Sequence, residues 1–521
     1  MKHILLIATL SVSLSAKAQY IYFNNLYEIE EANNSLNYKI YAYDSLSYLS
    51  FGQMNELSEN DYLNGSILRR IDQEGIQIYR HNQTYDFVIG PAGMGIPNES
   101  VLRLANNGFV QFHGTTNDMQ GSAPLLIKFN ENLDTAWTQR VLLGATPPNT
   151  DGHANEIFGC GLTNISDTSF MLLTFNRWGW SANPDSLRLR YLTFDYDGNV
   201  LANHVQPVEE YLSVDGIRKL SSDRLITWGT LYEDGDRQVF IRKSDMSGNV
   251  VDSLILGNPD NRPEGDNCGI YIDNNGTILF SYMRCLEHNS SIDNLFEMVA
   301  LRLDTTDFSI LQEVTYNIPS LEISGQGADV VRIIPASDYG YVLIGRNALN
   351  SNTSPRNNII RVNDELNIVW QNEYSAGVDF YAETMDDIIT AQDGGYIATG
   401  TTNVIFDDFS LMQKNWILKI DACGYEQPSG CPAVVSTDDE ETKISSDIQL
   451  WPNPCHNILK AVLPMDAASV RLYDQTGRVV LEEKVYYPNQ EWNVSGLECG
   501  VYVLEMVREN SLTSSIKIVK N

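Results

Sequence analysis

The sequence predicts an all-β protein, with a seven-bladed β-propeller followed by a small C-terminal β-sandwich. Three observations favour this fold class. Short apolar runs with a period of two recur along most of the 521 residues. Turns rich in Asp, Asn and Gly separate these runs, and helical periodicity is scarce throughout.

One pattern repeats through the large N-terminal part of the chain. The clearest copies are GFVQFHGTTN at 108–117, GYVLIG at 340–345 and GYIATGTTN at 395–403. Each copy leads through a variable polar loop to a second strand that ends in an Asp- or Asn-containing turn. The spacing is roughly 55–60 residues over about seven copies, which is the signature of a repeat fold.

Each copy supplies about four strands, too few to bury both of its apolar faces alone, so copies must pack on one another. A closed ring of such sheets leaves no long exposed edge, which favours a propeller. The segment from Tyr20 to Tyr41 precedes the first full copy, and we expect it to lend a strand to the last blade. An open stack or two smaller sandwiches is the alternative architecture.

The chain divides into four predicted segments. Residues 1–18 read as a signal peptide, because a basic start and an apolar stretch precede Ala16-Lys17-Ala18. We assign 19–427 to the propeller, 428–443 to an acidic linker and 444–521 to the sandwich. No later stretch is long and apolar enough to predict a transmembrane segment.

The formal net charge of −32 excludes nucleic acid as an expected partner, because a phosphate backbone requires clustered Lys and Arg. The seven cysteines of an exported chain are candidates for disulfides. Proximity in sequence suggests Cys268 with Cys285, Cys423 with Cys431, and Cys455 with Cys499. Cys160 is then left as a buried thiol, although the sequence does not determine the pairing.

Two loop motifs are candidate binding sites. Arg177, Trp178 and Trp180 lie in a Gly-containing connection, where exposed aromatic rings beside Arg and Asn suit a sugar or peptide ligand. Asp195, Asp197 and Asn199 alternate around a turn that contains Gly198, as oxygen ligands for calcium would. Packing against a neighbouring loop and an ordinary hairpin turn are the respective alternatives.

No catalytic residues are assigned. The chain contains no metalloprotease, serine hydrolase or P-loop motif, and we expect its acids to cluster in turns rather than on inner strands. We therefore favour a non-catalytic binding or adhesion protein with no cofactor beyond the calcium candidate. A glycan lyase or hydrolase with its site in the propeller channel is the alternative, and titratable residues converging in that channel would favour it.

The last residues carry the most specific motif. In order they contain Pro452-Asn453-Pro454, Gly477-Arg478, Gly500 and Tyr502, and the lysines Lys517 and Lys520. This array resembles the type A C-terminal sorting domain of the type IX secretion system, and the repeats resemble propellers exported by that route. The resemblance implies recognition by the type IX translocon and its sortase, passage through the periplasm, and display on the cell surface or secretion. An ordinary accessory sandwich is the alternative.

Overall fold

The computed structural model divides into two compact units, 1–436 and 437–521. It describes residues 22–27, 34–57, 62–88, 99–115, 123–141, 155–178, 188–208, 211–233, 236–257, 268–273, 275–287, 295–316, 318, 328–337, 339–347, 357–376, 380–405, 411–426, 449–451, 457–463, 467–474, 478–485, 489–497, 500–508 and 513–520. The predicted signal peptide and linker lie outside these residues. No helix that could cross a membrane occurs among the described residues.

The described strands of the first unit form seven four-stranded antiparallel blades, and a single parallel pair, Asn34 with Gln413, joins the first and the last blade into one sheet. The first strand of the chain is β1 (Phe23–Tyr27). Blade 1 contains β2 (Asn34–Asp44), β3 (Ser47–Leu57), β4 (Tyr62–Asp72) and β5 (Gln77–Val88). Blade 2 contains β6 (Val101–Arg103), β7 (Phe109–Thr115), β8 (Ala123–Phe129) and β9 (Thr135–Arg140). Blade 3 contains β10 (Asn155–Ser166), β11 (Ser169–Trp178), β12 (Arg188–Asp195) and β13 (Val200–Pro207).

The remaining blades follow the same order along the chain. Blade 4 contains β14 (Tyr211–Lys219), β15 (Arg224–Glu233), β16 (Asp236–Asp245) and β17 (Val250–Leu256). Blade 5 contains β18 (Gly269–Ile272), β19 (Thr277–Glu287), β20 (Leu295–Asp304) and β21 (Ile310–Tyr316). Blade 6 contains β22 (Ala328–Pro335), β23 (Tyr341–Asn347), β24 (Asn357–Val362) and β25 (Ile368–Tyr374). Blade 7 contains β26 (Phe380–Thr390), β27 (Tyr396–Ile405), β28 (Leu411–Ile420) and β1.

Strand β1 closes the ring, as the sequence predicts. It pairs antiparallel with β28, from Phe23 opposite Lys419 to Tyr27 opposite Asn415. A separate apolar cluster fills each of the seven interfaces between successive blades, including the one between blades 7 and 1. The propeller is therefore circular, and the open stack and the paired sandwiches are excluded.

The two ends of the blades differ. Within each blade, the turns from the first to the second strand and from the third to the fourth are short, and many begin with an Asp or Asn that caps the turn. The opposite end carries the other connections, the longest of which spans 141–154 between β9 and β10. Because strands alternate in direction, these longer connections all leave the blades on one face of the propeller. We call it the long-connection face.

The second unit is a sandwich of two sheets. The smaller sheet contains β29 (Gln449–Trp451), β30 (Ile458–Val462) and β33 (Asn489–Asn493). The larger contains β31 (Ala467–Tyr473), β32 (Val479–Lys484), β34 (Gly500–Arg508) and β35 (Thr513–Lys520). Leu459 and Trp492 of the first sheet share one buried core with Val470 and Leu504 of the second. β31 and β32 pair as an antiparallel hairpin.

Steric crowding explains why a glycine recurs in the second strand of the blades. Gly400 on β27 lies opposite Met385, next to a register shift in β26. A Cβ atom at Gly400 would overlap the carbonyl oxygen of Thr384. The glycine of the repeat therefore lets the innermost strand approach the second strand closely.

We expect Gly400→Ala to lower the free energy of unfolding by about 1–3 kcal/mol, because the added methyl group must displace buried backbone. Denaturant unfolding measures the change. Gly496→Ala is the control, because no atom lies within 4 Å of its added Cβ. Equal unfolding curves for the two variants would contradict the steric explanation.

Candidate functional site: charged residues at the propeller axis

The innermost strands share a β-bulge. Register shifts occur in the first strand of blades 1, 3, 4, 6 and 7. The extra residues are Tyr38, Cys160, Asp215, Val331 and Asp386. Glu99 and Cys268 lie at the equivalent place in blades 2 and 5, just before the short strands β6 and β18. Bulges re-aim side chains, and here they bring charged groups to the axis of the ring.

Glu99 is the centre of a network that crosses the channel. One oxygen of its carboxylate accepts hydrogen bonds from Arg218 of blade 4 and Arg332 of blade 6, both at 2.6 Å. Because these three residues belong to blades that are not neighbours, their contacts can form only across the axis. The ion pairs therefore tie opposite sides of the propeller together.

Asp387 extends this network to blades 7 and 1. Its carboxylate lies 3.0 Å from Nε of Arg332 and 3.7 Å from Nζ of Lys39. It also accepts the backbone N–H of Ile40 at 3.0 Å. We call Lys39, Glu99, Arg218, Arg332 and Asp387 the axial network; its three cations and two carboxylates give it a formal charge of +1.

The electrostatics favour the ionised form of Glu99. Burial alone would raise the pKa of Glu99, but Arg218, Lys39 and Arg332 hold it well below its usual range. Burial lowers the pKa of Lys39, and the charge of Arg332 lowers it further. At neutral pH Glu99 is therefore an anion already neutralised by its neighbours, which is unsuited to donating a proton.

A second ion-pair group lies beside the axial network. Arg346 contacts Asp329 at 2.9 Å and Asp386 at 2.8 Å, which links blades 6 and 7. Asp215 instead accepts the backbone N–H of Cys268 at 2.9 Å. These acids thus hold inner strands together.

A small cavity lies between these groups. Glu99, Asp215 and Arg332 line it, together with Trp228 and Cys268. Its volume of ≈ 10 Å³ leaves room for about one water molecule. A sugar ring does not fit this cavity.

The expectation that acids avoid the inner strands was wrong. Glu383, Asp386 and Asp387 lie on β26, and Asp215 and Asp329 lie on β14 and β22. A charged residue inside an otherwise apolar first strand, such as Lys39 before Ile40, was the available signal. It was missed because a bulge, invisible in the sequence pattern, decides that such a residue points to the axis.

Two residues of the predicted ligand motif are described, and they lie where β11 reaches the long-connection face. Arg177 and Trp178 end β11, from which the connection 179–187 leaves. Their side chains and Trp180 lie outside what the structure describes. Their role in binding stays a prediction.

The candidate calcium turn has the hydrogen bonds of an ordinary hairpin. Oδ1 of Asp195 accepts the backbone N–H groups of Asp197 and Asn199 at 2.9 and 2.8 Å, and Oδ2 accepts the side-chain amide of Asn199. Asp245 and Asn249 repeat this pattern. Among the described residues no group of three or more His, Cys, Asp or Glu is arranged for a metal ion. Calcium binding here stays a prediction.

The predicted disulfide between Cys268 and Cys285 is wrong. Both residues carry buried thiols. Cys268 packs with Trp228 and Phe280 between blades 4 and 5, whereas Cys285 packs with Phe296 between blades 5 and 6. The two thiols lie on opposite faces of blade 5, so no bond can join them.

The other cysteines give a mixed result. Cys160 is a buried thiol, as predicted. Cys423 is disulfide-bonded, but Cys431, Cys455 and Cys499 lie outside the described residues, so their pairing stays a prediction.

The tail motif is partly described. Gly500 begins β34 opposite Lys520, and the side chain of Tyr502 packs in the sandwich core. Arg478 bonds Asp474 through its backbone N–H and its Nε, both at 3.0 Å. Lys517 lies on β35. Pro452, Asn453, Pro454 and Gly477 are outside the described residues.

We expect Glu99→Gln to lower the free energy of unfolding at pH 7 by about 3–5 kcal/mol, because it leaves buried guanidinium groups without a counter-charge. An acid whose pKa is depressed on folding stabilises the fold above its unfolded pKa and loses that effect as pH falls. The free energy of unfolding of the wild type should therefore decrease as the pH is lowered beyond about 4.5, the ordinary pKa of Glu. The free energy of unfolding of the variant should depend less on pH in this range. Denaturant unfolding between pH 3 and 7, with the exposed Glu365→Gln as the control, measures both effects. Equal losses in the two variants would contradict the network.

Comparisons with known proteins agree with the two-part architecture. Residues 449–521 match the family model of the secretion system C-terminal sorting domain. No curated protein matches the chain.

Solved structures resemble it only distantly. PorZ, a surface component of the type IX secretion system of Porphyromonas gingivalis, is 12% identical with a TM-score of 0.27 over 93% of this chain and 70% of its own. The NanB sialidase of Streptococcus pneumoniae is 9% identical with a TM-score of 0.39 over 74% and 94%. The β-propeller domain of the Trilobed protease from Pyrococcus furiosus is 7% identical with a TM-score of 0.36 over 74% and 94%. At these scores none of them supports a functional argument.

The match of residues 449–521 to the sorting-domain family does support a functional argument. This chain carries a type IX secretion sorting domain after a seven-bladed propeller, and that domain indicates export to the cell surface or secretion.

Proposed function

We propose that the protein is an exported, non-catalytic binding protein. The long-connection face of its propeller takes a glycan or protein ligand at the cell surface. The C-terminal domain addresses the chain to the type IX translocon, and its sortase then removes that domain.

The state of the axial network is the observation that carries this proposal. Titratable groups do converge at the axis, which by itself would favour an enzyme. These groups, however, form ion pairs with one another. Glu99 pairs with Arg218 and Arg332, and Asp387 pairs with Arg332 and Lys39. The adjoining cavity has room for about one water molecule. These features suit a network that stabilises the closed ring rather than one that performs catalysis.

The long-connection face provides the alternative location for a ligand. Its connections vary in length, from 234–235 to 141–154, while the turns at the other end are uniformly short. A rigid scaffold that presents variable loops on one face is a common arrangement for recognition. The predicted aromatic motif at Arg177, Trp178 and Trp180 starts at the end of β11, which reaches this face.

A glycan-acting enzyme is the second candidate, because Glu99 and Asp387 both contact Arg332. A glycosidase needs one carboxylic acid with a raised pKa beside a carboxylate. Glu99 has a lowered pKa instead. Burial does raise the pKa of Glu383 to about 7, but Glu383 accepts hydrogen bonds from Ser375 and Ala376 outside the axial network.

The export route predicts that deletion of residues 444–521 traps the protein in the periplasm of a bacterium with the type IX system, because the translocon loses its recognition domain. Cell fractionation and immunoblotting measure the distribution. The full chain, expressed at the same level, is the control. Secretion of the shortened chain would show that residues 444–521 are not required for export.

The binding proposal predicts that the secreted protein retains a ligand from a glycan and surface-protein array. Alanine substitution of Arg177, Trp178 and Trp180 should weaken that binding at least about tenfold, since stacked aromatic and Arg contacts commonly dominate affinity. Tyr425→Ala is the control, because Tyr425 is an exposed aromatic residue in a short turn at the opposite face. Equal affinity of both variants would remove the loop from the proposal. Turnover of an array glycan that Glu99→Gln and Asp387→Asn abolish, although both variants remain folded at the assay temperature, would favour the enzyme.

A further inference from the structure

The interface between blades 7 and 1 differs from the other six. Those six contain between ten and fifteen buried apolar residues each, whereas the cluster at this seam contains seven, and a separate pair, Met54 and Ile67, lies on the same face of blade 1. Buried polar side chains lie at this seam where the other interfaces have apolar ones. They are Asn37, Ser50, Arg69, Thr401 and Asn415, none more than 5% exposed. The seam that closes the ring is therefore unusually polar.

Arg69 is the charged member of this group. It lies on β4, its side chain is fully buried, and its guanidinium carbon lies 4.9 Å from the ring centre of Tyr27 on β1. Nε donates a hydrogen bond to Gln77 at 2.5 Å. Neither Nη1 nor Nη2 has a hydrogen-bond partner, and no carboxylate among the described residues forms an ion pair with this guanidinium.

Other unsatisfied polar groups lie around it. Ser50 is the cross-strand neighbour of Arg69, and its hydroxyl has no partner. Asn415 is the cross-strand neighbour of Tyr27, and both atoms of its amide have no partner. Both amide atoms of Asn37 are also without a partner, although its backbone N–H reaches Thr401, which lies opposite Asn415. Donors from blades 1 and 7 therefore meet at the same seam.

An isolated guanidinium in this position is energetically unfavourable. Removing an ion from water costs several kcal/mol unless a counter-charge is present, and burial lowers the pKa of Arg69 only to about 10, so it stays protonated at neutral pH. The chain has 67 acidic residues against 35 basic ones, yet the described ones leave Arg69 unpaired. Water could accept the hydrogen bonds but could not neutralise the charge.

We propose that the seam between blades 7 and 1 holds a buried chloride ion, bound by the guanidinium of Arg69 with the amide of Asn415 and the hydroxyl of Ser50 as neighbouring donors. A monatomic anion suits this place, because every one of these side chains is sealed from solvent. The ion would join the strand that closes the ring to the blade that begins it. Binding to the folded state alone then stabilises the closed propeller.

Thermal unfolding of the mature full chain tests this site. At constant ionic strength, replacing gluconate by chloride should raise Tm in a saturable way by at least about 2 °C. Arg69→Met should lose this chloride dependence. Arg190→Met should keep it, because Arg190 lies on β12 in blade 3, away from this seam, and its loss changes the net charge equally. A wild-type Tm that does not respond to chloride, or a response that Arg69→Met retains, would overturn the proposal.

Crystallography gives a second test if Arg69→Met does not fold. Wild-type crystals grown with bromide should show an anomalous peak in contact with the Nη atoms of Arg69. A map with ordinary water at this position and no anomalous signal would overturn the chloride site.

Discussion

Closure of the ring by β1 is the constraint on which the rest of this structure depends. A four-stranded blade buries its faces only against neighbours, so an open array would expose two apolar faces at its ends. The pairing of Phe23–Tyr27 with β28 removes that exposure, although these strands lie almost 400 residues apart in the chain. Every contact across the axis, including those of Glu99, presupposes the closed ring.

The axial network shows how an inner-strand bulge can change the use of a propeller channel. In this chain the bulge brings carboxylates to the axis, but cations from other blades meet them there. Breaking such a buried pair is costly because one charge is left unpaired. The channel therefore contributes to the geometry of the ring. Buried charge is not neutralised in this way at the seam of blades 7 and 1, because Arg69 forms no ion pair with an acid among the described residues.

Local patterns made the fold predictable. The spacing of the GYIATG-like segments gave the number of blades, the segment before the first copy gave the closing strand, and the terminal motifs gave the sorting domain. Side-chain pairing across the axis was not predictable, because Lys39, Glu99 and Arg332 meet only after a bulge shifts the register and the ring closes. The disulfide between Cys268 and Cys285 failed for a related reason. Proximity in sequence does not show on which face of a blade a side chain lies.

The most direct measurement is an experimental structure of the secreted protein with the ligand that binds it most tightly. An axis whose carboxylates are already ion-paired predicts ligand density against the long-connection face, with the ion pairs of Glu99 and Asp387 intact. A sugar placed between Glu99 and Asp387, with Arg218 or Arg332 turned away from the carboxylates, would contradict this view and identify a catalytic channel.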